Sequence, residues 1–180
     1  MHIAPQDMPV HHVVGDLLAC PDAVICQQLN CLCVRPKGLA AAVAKAYPYA
    51  DVYSRRRPLG KRNFCIGQDA ATPGTISVSE PRIGQGGPIV IGLYGQLDFG
   101  RPGRSLRTPK GRDSAQLRIG WFKSALVHLE QFMRQRGLDT VAFPYTIGCG
   151  LAGGSWPAYL AIIEAFAART HFTVNIYRLP

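Results

Sequence analysis

The chain has 180 residues, 47% of them hydrophobic, and a formal net charge of +9 from 20 Lys and Arg against 11 Asp and Glu. That length fits one domain with an ample core, and without a run of 18 apolar residues it offers no membrane span. Met1–Val10 lacks the basic start and apolar run of a signal peptide, and the excess positive charge calls for an anionic ligand or a polyanionic partner.

Residues 1–10 read as an N-terminal extension of a single domain. His11–Val14 reads as a short strand running into Gly15-Asp16-Leu17-Leu18, where Asp16 either caps a turn or accepts a hydrogen bond from an amino group such as adenine's. Val24–Leu29 is a second strand, ending at Asn30. The loop Cys31–Gly38 follows, and Gly38 opens a helix stopped near Pro48, with Leu39, Val43 and Tyr47 on one face. The six cysteines (20, 26, 31, 33, 65 and 149) form no paired C-x2-C set. They read as reduced, mostly buried thiols of a cytoplasmic protein, or a nuclear one in a eukaryote. Cys31-x-Cys33 has no partner pair, so neither a metal nor a cofactor is expected.

Asp51–Thr72 is irregular and basic, Gly74–Ser79 alternates like a half-exposed strand, and Ile89–Leu93 is a continuous apolar run expected at the centre of a sheet. Tyr94–Arg112 is a long basic loop of the kind that covers a site or stays mobile. Asp113 or Ser114 then caps a long amphipathic helix, with Leu117, Trp121, Phe122, Ala125, Leu126, Leu129, Phe132 and Met133 on one side and Gly137 as its stop. Thr140–Phe143 is a buried strand. After a four-glycine loop, Ser155 and Pro157 start a helix with apolar residues at Tyr159, Leu160, Ile162, Ile163 and Phe166, and Phe172–Arg178 is a last strand. Strands alternating with helices predict an α/β fold, a three-layer α/β/α sandwich around a mixed central sheet.

Two places in this order have the make-up of a phosphate cradle. A strand, a glycine loop and a helix N-terminus together let the backbone approach an anion, point N–H groups at it and add the helix dipole. One lies at Gly148–Gly154 and the other at Gly38, beside Arg35 and Lys37. Gly148-Cys149-Gly150-Leu151-Ala152-Gly153 fits G-x-G-x-x-G, but a dinucleotide-binding fold carries that string on its first strand, and here one helix and one strand complete the chain. The Gly-Lys-Ser/Thr of a Walker loop is absent. A pair of cradles in a small domain points to a ligand with more than one phosphate, or a phosphate and a sugar, with Asn30 placed to meet a sugar hydroxyl.

From His12 to Leu179 the chain resembles the macro domain, an ADP-ribose-binding α/β/α module. The residues that carry the likeness are Gly15-Asp16-Leu17, Ile25–Asn30 leading into Lys37-Gly38-Leu39-Ala40, and Pro144-Tyr145-Thr146-Ile147-Gly148-Cys149-Gly150-Leu151-Ala152-Gly153-Gly154. Leu93-Tyr94-Gly95-Gln96 and Phe99-Gly100-Arg101 look like the branch holding compact ADP-ribosyl-glutamate hydrolases and ADP-ribose phosphate phosphatases. The resemblance implies that Asp16 binds the adenine amino group and Leu17 lines the base pocket. It puts Asn30 on the distal ribose, Gly38, Leu39 and Ala40 in the first phosphate loop, and Ile147, Gly148, Cys149, Gly150, Leu151 and Ala152 in the second. The glutamate-directed hydrolases place a lysine and an acid where this chain has Gln96 and Ala152, neither of which can act as nucleophile or base. The catalytic candidates are therefore Asn30, Lys37 and Asp98.

Three functions follow as expectations. The first is hydrolysis of an ADP-ribosyl linkage or of ADP-ribose phosphate, in which the bound phosphate positions water beside the distal ribose. The second is a reader that binds ADP-ribose, free or on a macromolecule, without turnover. The third is nucleic-acid binding through the basic stretches Arg55–Arg62 and Arg101–Arg112, with Tyr53, Tyr94 or Phe99 stacking on bases.

Overall fold

The computed structural model describes residues 9–103 and 111–180. Six strands form one sheet: β1 (Val10–Val14), β2 (Val24–Asn30), β3 (Ile76–Ser79), β4 (Ile89–Gln96), β5 (Thr140–Pro144) and β6 (Thr173–Arg178). Their order is β1-β6-β5-β2-β4-β3, parallel throughout except where β3 runs antiparallel to β4. The helices are α1 (Leu39–Ala46), α2 (Ala115–Arg136) and α3 (Trp156–Thr170). The expected mixed-sheet sandwich is present.

The layers follow from strand alternation. Val24, Cys26, Ile91, Leu93, Val141, Phe143, Val174 and Ile176 share one core with Phe122, Leu126 and Leu129 of α2 and Ile163 and Phe166 of α3. The intervening residues Ile25, Val90 and Ala142 point the other way, onto Val43 of α1 with Leu17 and Ala50. A third cluster of Leu29, Cys31, Cys33, Ala40, Tyr53 and Tyr94 fills the end of α1, so the Cys31-x-Cys33 thiols are core residues.

Several element ends differ from the sequence reading, each for a local reason. β1 starts at Val10, within the stretch taken as an extension, because Val10 pairs with Val174 of β6. β4 continues past Leu93 to Gln96, through Gly95 in the stretch that reads as a loop. A Cβ at Gly92 would collide with Leu29 and Ser77, and one at Gly95 would lie 2.7 Å from Gln28 Oε1. Both glycines answer to close packing inside a strand. Ser114, not Asp113, caps α2, its hydroxyl accepting from Leu117 N at 3.1 Å, and Leu117 itself is 37% exposed. Gly137 stops α2 as expected, in the left-handed region at φ +64°. Ser155 occupies the N-cap of α3 without a side-chain cap bond, and Pro157 follows Trp156 in the first turn.

One topological fact positions the site. β2 and β5 are adjacent and parallel, yet β2 hands the chain to α1 on one face and β5 hands it to α3 on the other. Connections leaving neighbouring strands in opposite directions open a crevice at the strands' carboxyl ends.

Candidate functional site

A cleft of about 580 Å³ occupies that crevice. Its floor is the C-terminal edge of five parallel strands: Gly15 just past β1, Asn30, Gln96, Pro144, and Tyr177 with Arg178. Lys37, Gly38, Leu39 and Ala40 form one wall, and Thr146, Ile147, Gly148, Gly150, Leu151 and Ala152 form the other. The two glycine loops therefore face each other across one space, close enough that a Cβ on Gly38 would lie 3.6 Å from Leu151 Cδ1.

The first loop depends on Gly38, whose φ of +57° and ψ of −133° favour glycine and which leads straight into α1. The opening N–H groups of that helix have no carbonyl partner within it. In the second loop, Ile147 N–H and Cys149 N–H close turns onto the carbonyls of Pro144 and Thr146. The N–H groups of Gly148, Gly150, Leu151 and Ala152 take no part in those turns. Thr146 holds φ +57°, rare for a side chain with a branched Cβ, at the point where the chain leaves β5.

The loop's glycines have separate causes. A Cβ on Gly148 would sit 2.6 Å from the Tyr159 ring, and one on Gly154 would sit 2.6 Å from the Gly148 carbonyl. Gly153 packs against the Arg101 side chain at φ +69°. Gly150 lines the cleft, and a Cβ there meets no atom within 4 Å. Gly148 and Gly154 are glycines for packing; Gly150 is open to the cleft.

The predicted residues fall as follows. Asp16 lines one end with Leu17, and its Oδ1 accepts from Leu18 N at 2.9 Å, so the capping role is realised and the side chain also borders the cleft. Asn30 is 7% exposed and lines the cleft from below; Oδ1 accepts from Cys33 N at 2.8 Å and Nδ2 donates to the Tyr53 hydroxyl at 3.3 Å. Burial pushes the Tyr53 phenol well above its ordinary range, so it stays a neutral partner. Lys37 is exposed at the rim, its ammonium 4.7 Å from the centre of the Phe99 ring. Gly38, Leu39, Ala40, Ile147, Gly148, Gly150, Leu151 and Ala152 all line the cleft.

Cys149 and Asp98 lie elsewhere. Cys149 does not line the cleft: its thiol donates to Ile147 O at 3.3 Å and it packs against the main core. Asp98, 1% exposed, also lies off the lining. Its Oδ1 accepts from Phe99 N at 2.7 Å and from the Cys33 thiol at 3.5 Å, so its carboxylate secures a loop instead of facing a substrate.

The basic stretch Arg55–Arg62 is also partly committed inside the protein. Arg56 is buried, donating to the carbonyls of Cys33 and Asn30 at 2.7 and 3.1 Å and stacking on Tyr53 and Tyr94. Arg57 forms a fork with Asp69, holding that carboxyl down at about 2, and Arg55 donates to Tyr49 O. Tyr53 and Tyr94, at 3% and 8% exposure, cannot stack on bases; Phe99, at 39%, can. Within the second basic stretch, residues 104–110 lie outside the described residues.

Sequence reasoning passed over two features. Gln28 reaches the cleft beneath Gly148 and donates from Nε2 to Gln96 Oε1 at 2.9 Å; Gln96 Nε2 in turn donates to Asp98 O at 3.2 Å. A glutamine pair inside an otherwise apolar strand was the available signal. The other is Arg118 of α2, 3% exposed and in a bidentate ion pair with Asp113 at 2.6 Å.

No protein-family model matches the chain, and no curated protein sequence matches it. Solved structures do. A Thermosipho africanus DarTG structure in complex with ADP-ribose aligns with TM-score 0.67 and 19% identity, over 95% of this chain and 41% of that one. The macrodomain of Mycobacterium tuberculosis DarG aligns with TM-score 0.62 and 22% identity, over 93% and 96% of the two chains. An Oceanobacillus iheyensis macrodomain with ADP aligns with TM-score 0.63 and 15% identity, over 94% and 82%.

Proposed function

We propose that this chain, whose fold is that of a macrodomain, binds ADP-ribose in the cleft between its two glycine loops. The observation that carries the reading is the convergence of Gly38–Ala40 and Gly148–Ala152 on one cavity, at the carboxyl ends of strands whose helices leave in opposite directions. A diphosphate held there would receive backbone N–H groups from both sides and the positive ends of α1 and α3. Adenine would lie against Leu17, Tyr177 and Leu179 with its amino group toward Asp16. The distal ribose would lie over Asn30 and Gln96, under Phe99 and Gly100. The cations Arg35, Lys37 and Arg178 line the same space and suit an anionic ligand.

A hydrolytic activity on the same ligand is the second reading, and Lys37 favours it. Its ammonium, held at the rim over Phe99, can offset negative charge on a departing group. Against it stands the distribution of carboxylates: among the described lining residues only Asp16 carries one, at the adenine end. Water would therefore be positioned by the ligand's own phosphate, with Asn30 orienting the ribose. ADP-ribose titrated by calorimetry, followed by chromatography of ADP-ribosylated protein, ADP-ribosylated nucleic acid and ADP-ribose phosphate after incubation, separates the readings. Binding with released product makes the chain a hydrolase or phosphatase, binding alone makes it a reader, and absence of binding ends both.

A further inference from the structure

We infer that Arg118 is the positioning residue for the distal half of the cleft, fixing its width from behind; this rests on the ADP-ribose reading above. A guanidinium carries five N–H donors in a rigid plane. Here all five are used. Nε donates to Asp113 Oδ1 and Nη2 to Asp113 Oδ2, both at 2.6 Å. Nη2 also donates to Asp98 O at 3.3 Å, while Nη1 donates to Gly100 O at 2.7 Å and to Ala152 O at 3.2 Å.

The partners belong to three separate stretches of chain. Asp98 and Gly100 begin the segment after β4, Asp113 ends it, and Ala152 belongs to the second phosphate loop. Asp98 N also donates to Asp113 Oδ2 at 3.4 Å, so the two ends of that segment meet at this one ion pair. Gly100 and Ala152 both line the cleft, and Arg118 joins their carbonyls through a single nitrogen from outside the ligand space. The walls on either side of the distal ribose are thereby set by one planar group on α2, a rigid element. Adenine's surroundings, Asp16, Leu17 and Tyr177, share no atom with this network.

A lysine keeps the charge and can still pair with Asp113, but its one nitrogen cannot reach both carbonyls and both carboxylate oxygens at once. The test measures the affinities of ADP-ribose and of ADP for wild type, Arg118→Lys and Asp113→Asn, well below each protein's melting temperature. ADP lacks the distal ribose and carries an extra charge on its terminal phosphate, so the change from wild type in the ratio of its Kd to that of ADP-ribose reports the distal half of the cleft. In Arg118→Lys, ADP-ribose affinity falls about tenfold, in line with loss of charge-assisted hydrogen bonds, while ADP affinity changes far less, and the ratio falls by nearly the same factor. Asp113→Asn moves it the same way by a smaller factor and supplies the reading if the lysine variant does not fold. A ratio unchanged in both variants, or an equal loss for both ligands, overturns the assignment. A wild type that binds neither ligand instead overturns the proposed function itself.

Discussion

Gly150 offers the cleanest separation of binding from folding. It lines the cleft, its φ lies outside the left-handed region, and a Cβ built on it meets no atom within 4 Å. Gly150→Val therefore places its Cβ in open space, and stiffening the unfolded chain offsets small losses. The cost to folding should stay under about 1 kcal/mol, a melting shift of about 2–4 °C for a domain of this size. Binding should respond very differently. A branched side chain between the loops would hold the diphosphate off the backbone N–H groups, and hydrogen bonds to charged acceptors contribute about 1.5–3 kcal/mol each. Losing two amounts to about 3–6 kcal/mol, a rise in Kd of roughly 10²–10⁴-fold. Gly148→Ala is the contrast: at φ +73°, with its Cβ 2.6 Å from the Tyr159 ring, it should lower the melting temperature whether or not ligand is present. Calorimetric titration and thermal melts of both variants decide the matter. Unchanged ADP-ribose affinity in a folded Gly150→Val protein would refute the backbone-cradle argument.

Two further outcomes follow from the same geometry. Lys37→Met should weaken ADP-ribose binding by about three- to tenfold and flatten its salt dependence, because an exposed rim cation acts through screened attraction. An unchanged salt slope would remove Lys37 from the site. Burial pushes the Cys31 and Cys33 thiols up to about 12 and raises that of Cys26 as well. The folded protein at pH 8 should thus leave these three unmodified by iodoacetamide, whereas unfolding in guanidinium should expose all six cysteines to labelling. Rapid labelling of Cys33 in the native state, read by peptide mass mapping, would contradict the packing described around it.

Much of the fold is legible because its signals are local. Apolar runs of strand length, Gly137 at a helix stop and Ser114 before an amphipathic stretch each encode their own element. The two cradles are legible for the same reason, since a strand, a glycine and a helix start are neighbours in sequence. What escapes is set by contacts between distant segments. Gly95 looks like a loop residue until Gln28 is seen to occupy the space a side chain would need. Asp98 resembles a spare catalytic acid beside Gln96, yet its carboxylate is taken up by Phe99 N and the Cys33 thiol. Arg118 and Arg56 count as surface charge in a composition, and both are buried among carbonyls contributed by other parts of the chain.

The most direct test of the central claim is a crystal structure of the protein with ADP-ribose bound. The diphosphate should lie between Gly38 and Gly150, its oxygens within hydrogen-bond distance of backbone N–H groups from both loops, with the distal ribose over Asn30. A ligand seated elsewhere, for instance in the separate groove lined by Tyr49, Arg55 and Arg82, or one touching only a single loop, would contradict it.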